Sequence, residues 1–259
     1  MISAEGVKLV AKRFSDAAKR YDRLAFIQND IRRELVKKVN IRKGSQVLDV
    51  GCGTGVLLGE LSQENRDGLN VGVDLVWGMV RRAKALGQKG RILQANGEAL
   101  PFKPGTFDLI VSSSAYQWAR NPGQAFVEAH RVLKKGGKFH VALFGRETLR
   151  ELFESLGASS SRLRTELARM RTLSSYDDIR QGMEAVGFRD WTVLSEQRQV
   201  VFSDLWSLMM WIKSVGVNSL GSHVFLGREG LREAQRHYQA HYGKEGGISA
   251  TFEVFWIDA

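Results

Sequence analysis

The segment Val47-Leu48-Asp49-Val50-Gly51-Cys52-Gly53-Thr54-Gly55 constrains the fold more than any other part of this 259-residue chain. A short β-branched run ending in glycine reads as a buried strand that turns sharply into the next element. Glycines at such a turn also let the backbone approach a ligand closely. The spacing separates this turn from two familiar relatives. A dinucleotide-binding G-x-G-x-x-G would need its third glycine at Val56, and a phosphate loop would need a Gly-Lys-Ser/Thr ending, which is absent.

After this turn the chain alternates strand and helix. Further strands are expected at 68–75, 91–96, 107–115 and 137–144, with helices at 55–65, 77–86 and 123–134, the last capped by the glycines of KKGGK (134–138). This rhythm implies βαβ units, a mostly parallel sheet and helices on both faces. Ahead of it, apolar residues at helical spacing (Val10, Phe14, Ala18, Tyr21, then Ile27, Ile31, Leu35, Val39) predict amphipathic helices over 5–39. Beyond residue 145 the pattern changes to helical stretches at 147–172, 176–186 and 203–243, an edge-like strand at 191–202 and a last strand at 251–257. The whole is expected to be α/β: a seven-stranded, Rossmann-like sheet in one domain over 1–259. It divides into N-terminal helices (1–44), a ligand-binding core (45–145) and helical lid insertions (146–175 and 203–247).

Three more elements fall at carboxyl ends of expected strands, where open α/β sheets bind ligands. They are Asp74, about twenty residues past the glycine turn and suited to two ribose hydroxyls, then Ala95-Asn96-Gly97-Glu98-Ala99-Leu100-Pro101-Phe102, and Phe107-Asp108-Leu109-Ile110-Val111-Ser112. With the glycine turn, these resemble the class I methyltransferases across roughly residues 45–145. The resemblance implies S-adenosylmethionine as cofactor, with Gly51 and Gly53 bordering its methionine part, Asp74 on the ribose, and Asn96 and Gly97 at adenine. Gln28, Asp49, Cys52, Leu75, Glu98 and Ser112 complete the expected cofactor set. The family usually carries Asp where this chain has Asn96. An amide oxygen still accepts a hydrogen bond, without charge, so somewhat weaker binding is expected.

The acceptor is read from the chain ends. The Asn/Asp-Pro-Pro-aromatic motif of amino-methylating enzymes is missing after Ser112; Ser113-Ser114-Ala115-Tyr116-Gln117-Trp118 stands there instead. The runs Val10–Ser15 and Tyr21–Arg23 with Gln28, then Gln117-Trp118 and Glu128-x-x-Arg131-Val132-Leu133, resemble the malonyl-[acyl-carrier protein] O-methyltransferases of biotin synthesis. So do Trp211–Asn218, similar to that family's LK-x-x-G-x-N lid, and Ile248–Val254, similar to its last strand. The resemblance implies esterification of a free malonyl carboxylate. That group is already ionised at neutral pH, so alignment and exclusion of water suffice and no general base is required. Tyr21 is expected to shape the methyl site, Arg146 to hold the malonyl carboxylate, and Trp118 and Lys213 to bind substrate.

The net charge of +10 suits an acidic carrier protein. Candidate docking clusters are Arg32, Arg33, Lys37 and Lys38, or Arg162, Arg164, Arg169 and Arg171, with steep salt sensitivity toward carrier-bound substrate. The cofactor motifs leave other readings open: a methyltransferase for a small acid or quinone precursor, a tRNA or rRNA methyltransferase supported by charge alone, or a methyltransferase-like assembly factor. One cysteine and no apolar membrane or secretory run favour a reducing, cytoplasmic setting. His237 and His241 stand four apart without a third ligand in view, so no metal is expected.

Overall fold

In the computed structural model, residues 4–158, 163–165, 167, 173–216 and 227–259 are described. Strand β1 (Gln46–Val50) is the hub of the sheet. It pairs in parallel with β2 (Leu69–Asp74) on one side and β4 (Phe107–Ser113) on the other. Strand β3 (Arg91–Gln94) adds outside β2, and β5 (Leu133–Phe144) outside β4, both parallel. The order continues from β5 to β8 (Gly247–Asp258) and then to the edge strand β6 (Thr192–Phe202), both pairings antiparallel. A two-residue strand, β7 (Gly243–Lys244), pairs beside β8. Seven long strands thus form the expected sheet, and the order reverses between β1 and β4, where a crevice opens at the carboxyl ends.

Three helices precede the sheet: α1 (Ala4–Ala17), α2 (Tyr21–Leu24) and α3 (Phe26–Lys38). Three more connect its parallel strands: α4 (Val56–Glu64), α5 (Trp77–Ala85) and α6 (Pro122–Val132). Both faces of the sheet are covered, which the strand sequences require. Along β1 and β4 successive side chains point to opposite faces. Val47, Leu109 and Val111 join one apolar core with Ile27, Ile31 and Leu35 of α3. Leu48, Val50 and Ile110 join a second with Phe126 and Ala129 of α6. Each large aliphatic side chain buried this way contributes about 1.5–3 kcal/mol.

One local expectation is overturned. Helix α6 ends at Val132, and the next residue, Leu133, already pairs with Phe107. KKGGK is therefore the start of β5, not a helix cap; the register jumps between Phe107 and Leu109, and Gly136 takes its positive φ of 75° in that irregularity. Ladder pairing to β4 outweighs the local glycine signal.

Beyond the core lie helices α7 (Arg150–Gly157), α8 (Tyr176–Val186), α9 (Leu205–Ser214) and α10 (Arg228–Tyr242). Trp211 ties α9 to the N-terminal helices: its Nε1–H donates to the Leu24 carbonyl at 2.9 Å, and its ring lies 5.3 Å from Phe26. Arg162, Arg169, Arg171, Val217 and Asn218 lie outside the described residues. No helix among the described residues is long and apolar enough to cross a membrane.

Candidate active site

The crevice at β1, β2 and β4 is a cavity roofed by α1, α2 and α3. Its floor is the glycine turn. Gly51, Gly53 and Gly55 all have positive φ. A Cβ on Gly51 would lie 2.1 Å from Ala115 Cβ, so the loops after β1 and β4 meet there as only glycine permits. The Gly53 N–H donates to Asp74 Oδ2 at 2.8 Å and the Val76 N–H to Asp74 Oδ1 at 2.7 Å, fixing the carboxylate at the end of β2. Burial pushes Asp74 up to about 6 against the pull of those two donors.

Asp49 is the most perturbed acid of the cavity. Neither carboxylate oxygen makes a hydrogen bond of normal geometry. Burial, with the charge of Asp74 adding to it, pushes its carboxyl up to about 8. Burial likewise holds the Cys52 thiol well above its ordinary range, so Cys52 is protonated and no nucleophile.

The roof is fastened from several sides. Asp22 accepts a hydrogen bond from the Thr54 hydroxyl in the glycine turn, and Asn29 Nδ2 donates to the Asp22 carbonyl at 2.7 Å. Phe14 stands edge-on to both Tyr21 (5.9 Å) and Trp118 (5.7 Å), making an aromatic wall. Desolvation, then the charges of Asp74 and Asp22, raise the Tyr21 hydroxyl above its ordinary value, so it is neutral at physiological pH. Gly78 is packed so closely under α1 that a Cβ there would meet Ser15 Oγ at 2.1 Å.

Of the residues expected from the sequence, Tyr21, Gln28, Asp49, Gly51, Cys52, Gly53, Asp74, Leu75, Asn96, Gly97, Glu98 and Trp118 all line this cavity. Three do not. Ser112 is fully buried and donates to the Val50 carbonyl at 2.8 Å, so it braces β4 against β1 from behind the cavity. Arg146 faces the other way: its guanidinium meets Asp178 at 3.0 Å, half exposed, because its loop runs to the Ser174–Ser175 turn. Lys213 is exposed on the outer face of α9. No described residue of 146–175 or 203–247 lines the cavity, so the covering expected of those stretches falls to α1–α3. The Asn96 oxygen already accepts the Glu98 N–H at 3.0 Å, which leaves one lone pair for a ligand.

Other lining residues were not expected here from the sequence, Arg32 having been read as part of a docking cluster. Arg32 is the single cation lining the cavity among the described residues; it pairs with Glu60, while its Nε is buried without a partner. Gln28 and Arg32, one turn apart, are polar interruptions on the buried side of α3, and that interruption is the signal that marks them. Ser113, Ser114 and Tyr116 line the cavity with buried hydroxyls that have no partner, and Ser114 has a positive φ of 56°. These orphaned groups, with Gln28 Oε1 and both oxygens of Asp49, suit a polar ligand or ordered water. S-adenosylmethionine fits this lining: the buried acids would suit its cationic groups, Arg32 its carboxylate and Asp74 its ribose hydroxyls.

Fold and cavity together define a class I S-adenosylmethionine-dependent methyltransferase. The methyltransferase-domain family matches residues 48–141. Among solved structures, the YcgJ protein of Bacillus subtilis superposes with a TM-score of 0.63 at 20% identity, over 89% of this chain and 97% of that one. Phosphoethanolamine N-methyltransferase 2 of Haemonchus contortus, solved with S-adenosyl-L-methionine, superposes with a TM-score of 0.56 at 16% identity, over 88% of this chain and 51% of that one. Both share the fold.

Curated relatives narrow the class. A malonyl-[acyl-carrier protein] O-methyltransferase of Geobacter sulfurreducens is 30% identical over 258 residues, covering 95% of this chain and 96% of that protein. The biotin biosynthesis bifunctional protein BioHC of Teredinibacter turnerae is 31% identical over 265 residues, covering 96% of this chain and 46% of that longer protein. The chain belongs to the malonyl-[acyl-carrier protein] O-methyltransferase family.

Proposed function

We propose that the protein methylates the free carboxylate of a malonyl thioester carried by an acyl carrier protein, a step of biotin synthesis. The observation that carries this reading is the similarity to the Geobacter sulfurreducens enzyme along almost the entire length of both chains. The acceptor side of the cavity supports it. Its wall is made of neutral hydroxyls (Ser113, Ser114, Tyr116) and aromatic rings (Phe14, Tyr21, Trp118). Tyr21 and Tyr116 both have hydroxyls held above their ordinary values, Tyr116 by burial, so neither serves as a base. A substrate that arrives already ionised needs none.

When bound, S-adenosylmethionine supplies an electrophilic methyl group on a positively charged sulfur. The protein supplies position and dryness. Asp74 holds the ribose, Asp49 faces positive charge, and Arg32 receives the cofactor's carboxylate. Leu75, Asn96, Gly97 and Glu98 border the adenine. Tyr21 and Trp118, closed by Phe14, exclude water and orient the acceptor carboxylate with help from Ser113 and Ser114. In the low dielectric behind that wall, a carboxylate held by these neutral groups would be attracted strongly to a positively charged cofactor, and the protein's part is to hold it in line.

The test is methyl transfer from labelled S-adenosylmethionine to malonyl carrier protein, with acetyl carrier protein as control. Label on the malonyl form alone is the expected result. Label on neither, with S-adenosylmethionine shown to bind, would refute the acceptor and leave the enzyme class standing.

A further inference from the structure

Helix α9 buries Leu205, Leu208 and Ile212 and turns Trp206, Met210 and Lys213 outward. Trp206 is 64% exposed and Met210 45%, unusual for such side chains on one short helix. Beside it runs α10, and the two enclose a groove lined by Leu205, Trp206, Met209 and Leu231 with the stems of Arg232 and Arg236. The groove is preformed, because Gln235 Oε1 accepts the Leu205 N–H at 2.9 Å and Asp204 and Ser207 close a capping box on α9. Arg228, Arg232 and Arg236 recur at four-residue spacing, and none forms an ion pair among the described residues. Like charges at that spacing destabilise a helix by roughly a few tenths of a kcal/mol per pair. Glu229 and Glu233 are not among the residues that line the groove. An apolar floor with a basic rim is complementary to an acidic protein that presents an apolar helix face.

Helix α9 joins the groove to the roof of the cavity. Helix α9 carries the chain from Trp206 to Ser214 over about 12 Å. Trp211 hydrogen-bonds Leu24 at the roof, and Gly216 lies against the Arg13 and Phe14 backbone of α1. The basic cluster on α3 is a weaker candidate: Arg32 pairs with Glu60, Arg33 with Asp30, and Lys38 lies over Trp256. We infer that the α9–α10 groove is where the acidic carrier protein docks, a surface that rests on the carrier-thioester function proposed for the cavity and adds the residues that recognise the carrier. Lys213, on the outward face of α9, belongs to this surface.

The test compares KM for malonyl carrier protein between the wild type and two variants of the intact protein, Arg232→Glu with Arg236→Glu, and Trp206→Ala. Each variant is expected to raise KM about tenfold at low salt, as loss of an interface anchor or rim charges does. S-adenosylmethionine affinity and melting temperature should stay at wild-type values, Lys37→Glu should change nothing, and Arg232→Lys with Arg236→Lys should restore most of the affinity. Salt should narrow the gap between wild type and charge reversal. Unchanged KM in both variants would overturn the surface, as would loss of binding to phosphatidylglycerol vesicles with KM intact, which would assign the groove to lipid. A wild type that binds S-adenosylmethionine but methylates no carrier thioester would instead sink the function on which the surface rests.

Discussion

Replacing Asp49 with Asn should make the ligand-free protein more stable, and increasingly so as pH rises. The carboxyl is displaced from the ordinary 3.8 to about 8 by burial and by Asp74. A carboxyl whose folded-state value is raised stabilises the fold fully below about pH 4 and loses that contribution as pH climbs toward 8. At 1.36 kcal/mol per pH unit the full displacement corresponds to at most about 6 kcal/mol. Water entry and the effective dielectric of real interiors reduce this to roughly half, about 3 kcal/mol, at pH 8.5. At pH 5 most of the difference is gone, under about 1 kcal/mol. For a domain of this size each kcal/mol moves Tm by about 2–4 °C. Thermal melts of both proteins from pH 5 to 9 would therefore show the Asp49→Asn variant melting higher by about 6–12 °C at the alkaline end, with the curves converging toward pH 5. Adding S-adenosylmethionine should raise Tm less in the variant, since the ligand's positive charge loses its buried partner. Parallel pH profiles would refute the reasoning, because they would mean that Asp49 is solvated or satisfied in the folded protein.

Gly51→Ala combines a positive φ of 73° with a Cβ placed on Ala115, so it should cost about 2–4 kcal/mol of stability and abolish S-adenosylmethionine binding, read by melts and calorimetry. Arg32→Met should raise KM for S-adenosylmethionine about tenfold or more, because the cavity loses its cation, while the melting curve shifts little. Arg146→Ala should leave turnover within about twofold of wild type and cost under about 1 kcal/mol, the worth of a half-exposed ion pair with Asp178.

The glycine turn and Asp74 were legible because their demands are local. A positive φ, a sharp exit from a strand and a carboxylate one strand over leave marks within a short window. The alternation of strands and helices was legible for the same reason: each element's burial pattern is written in its own residues. The roof was legible only through the resemblance, which set Tyr21 and Gln28 at the site; nothing within α1–α3 itself says which surface their apolar stripe covers. Stretches 146–175 and 203–247 read as lids by position, and the second also by the resemblance of Trp211–Asn218 to a family lid. Arg146 illustrates the limit: it comes just after a core strand, as a substrate-binding residue should, yet its loop turns outward toward Asp178. At KKGGK the local signal was present and misleading, because pairing with Phe107 decided the conformation. The basic rim of α10 was hidden in a helix whose sequence carries Glu229 and Glu233 beside its arginines, so only the fold shows that Arg232 and Arg236 line a groove.

The position of β8 between β5 and β6 sets an order of assembly during translation. All five parallel strands, β1 to β5, leave the ribosome before β8 exists, so the residues of the crevice floor are made early. Strand β6 then waits through the synthesis of about forty residues, a few seconds at roughly 5–20 residues per second, before β8, its partner among the described residues, arrives. Through that interval its 11 residues are an unpaired edge that another nascent chain could join. The run Glu196-Gln197-Arg198-Gln199 at its centre is the kind of polar stretch that discourages such pairing. A fold that finishes with a strand inserted inside its sheet thus carries, in its second-to-last long strand, its own protection against premature partners.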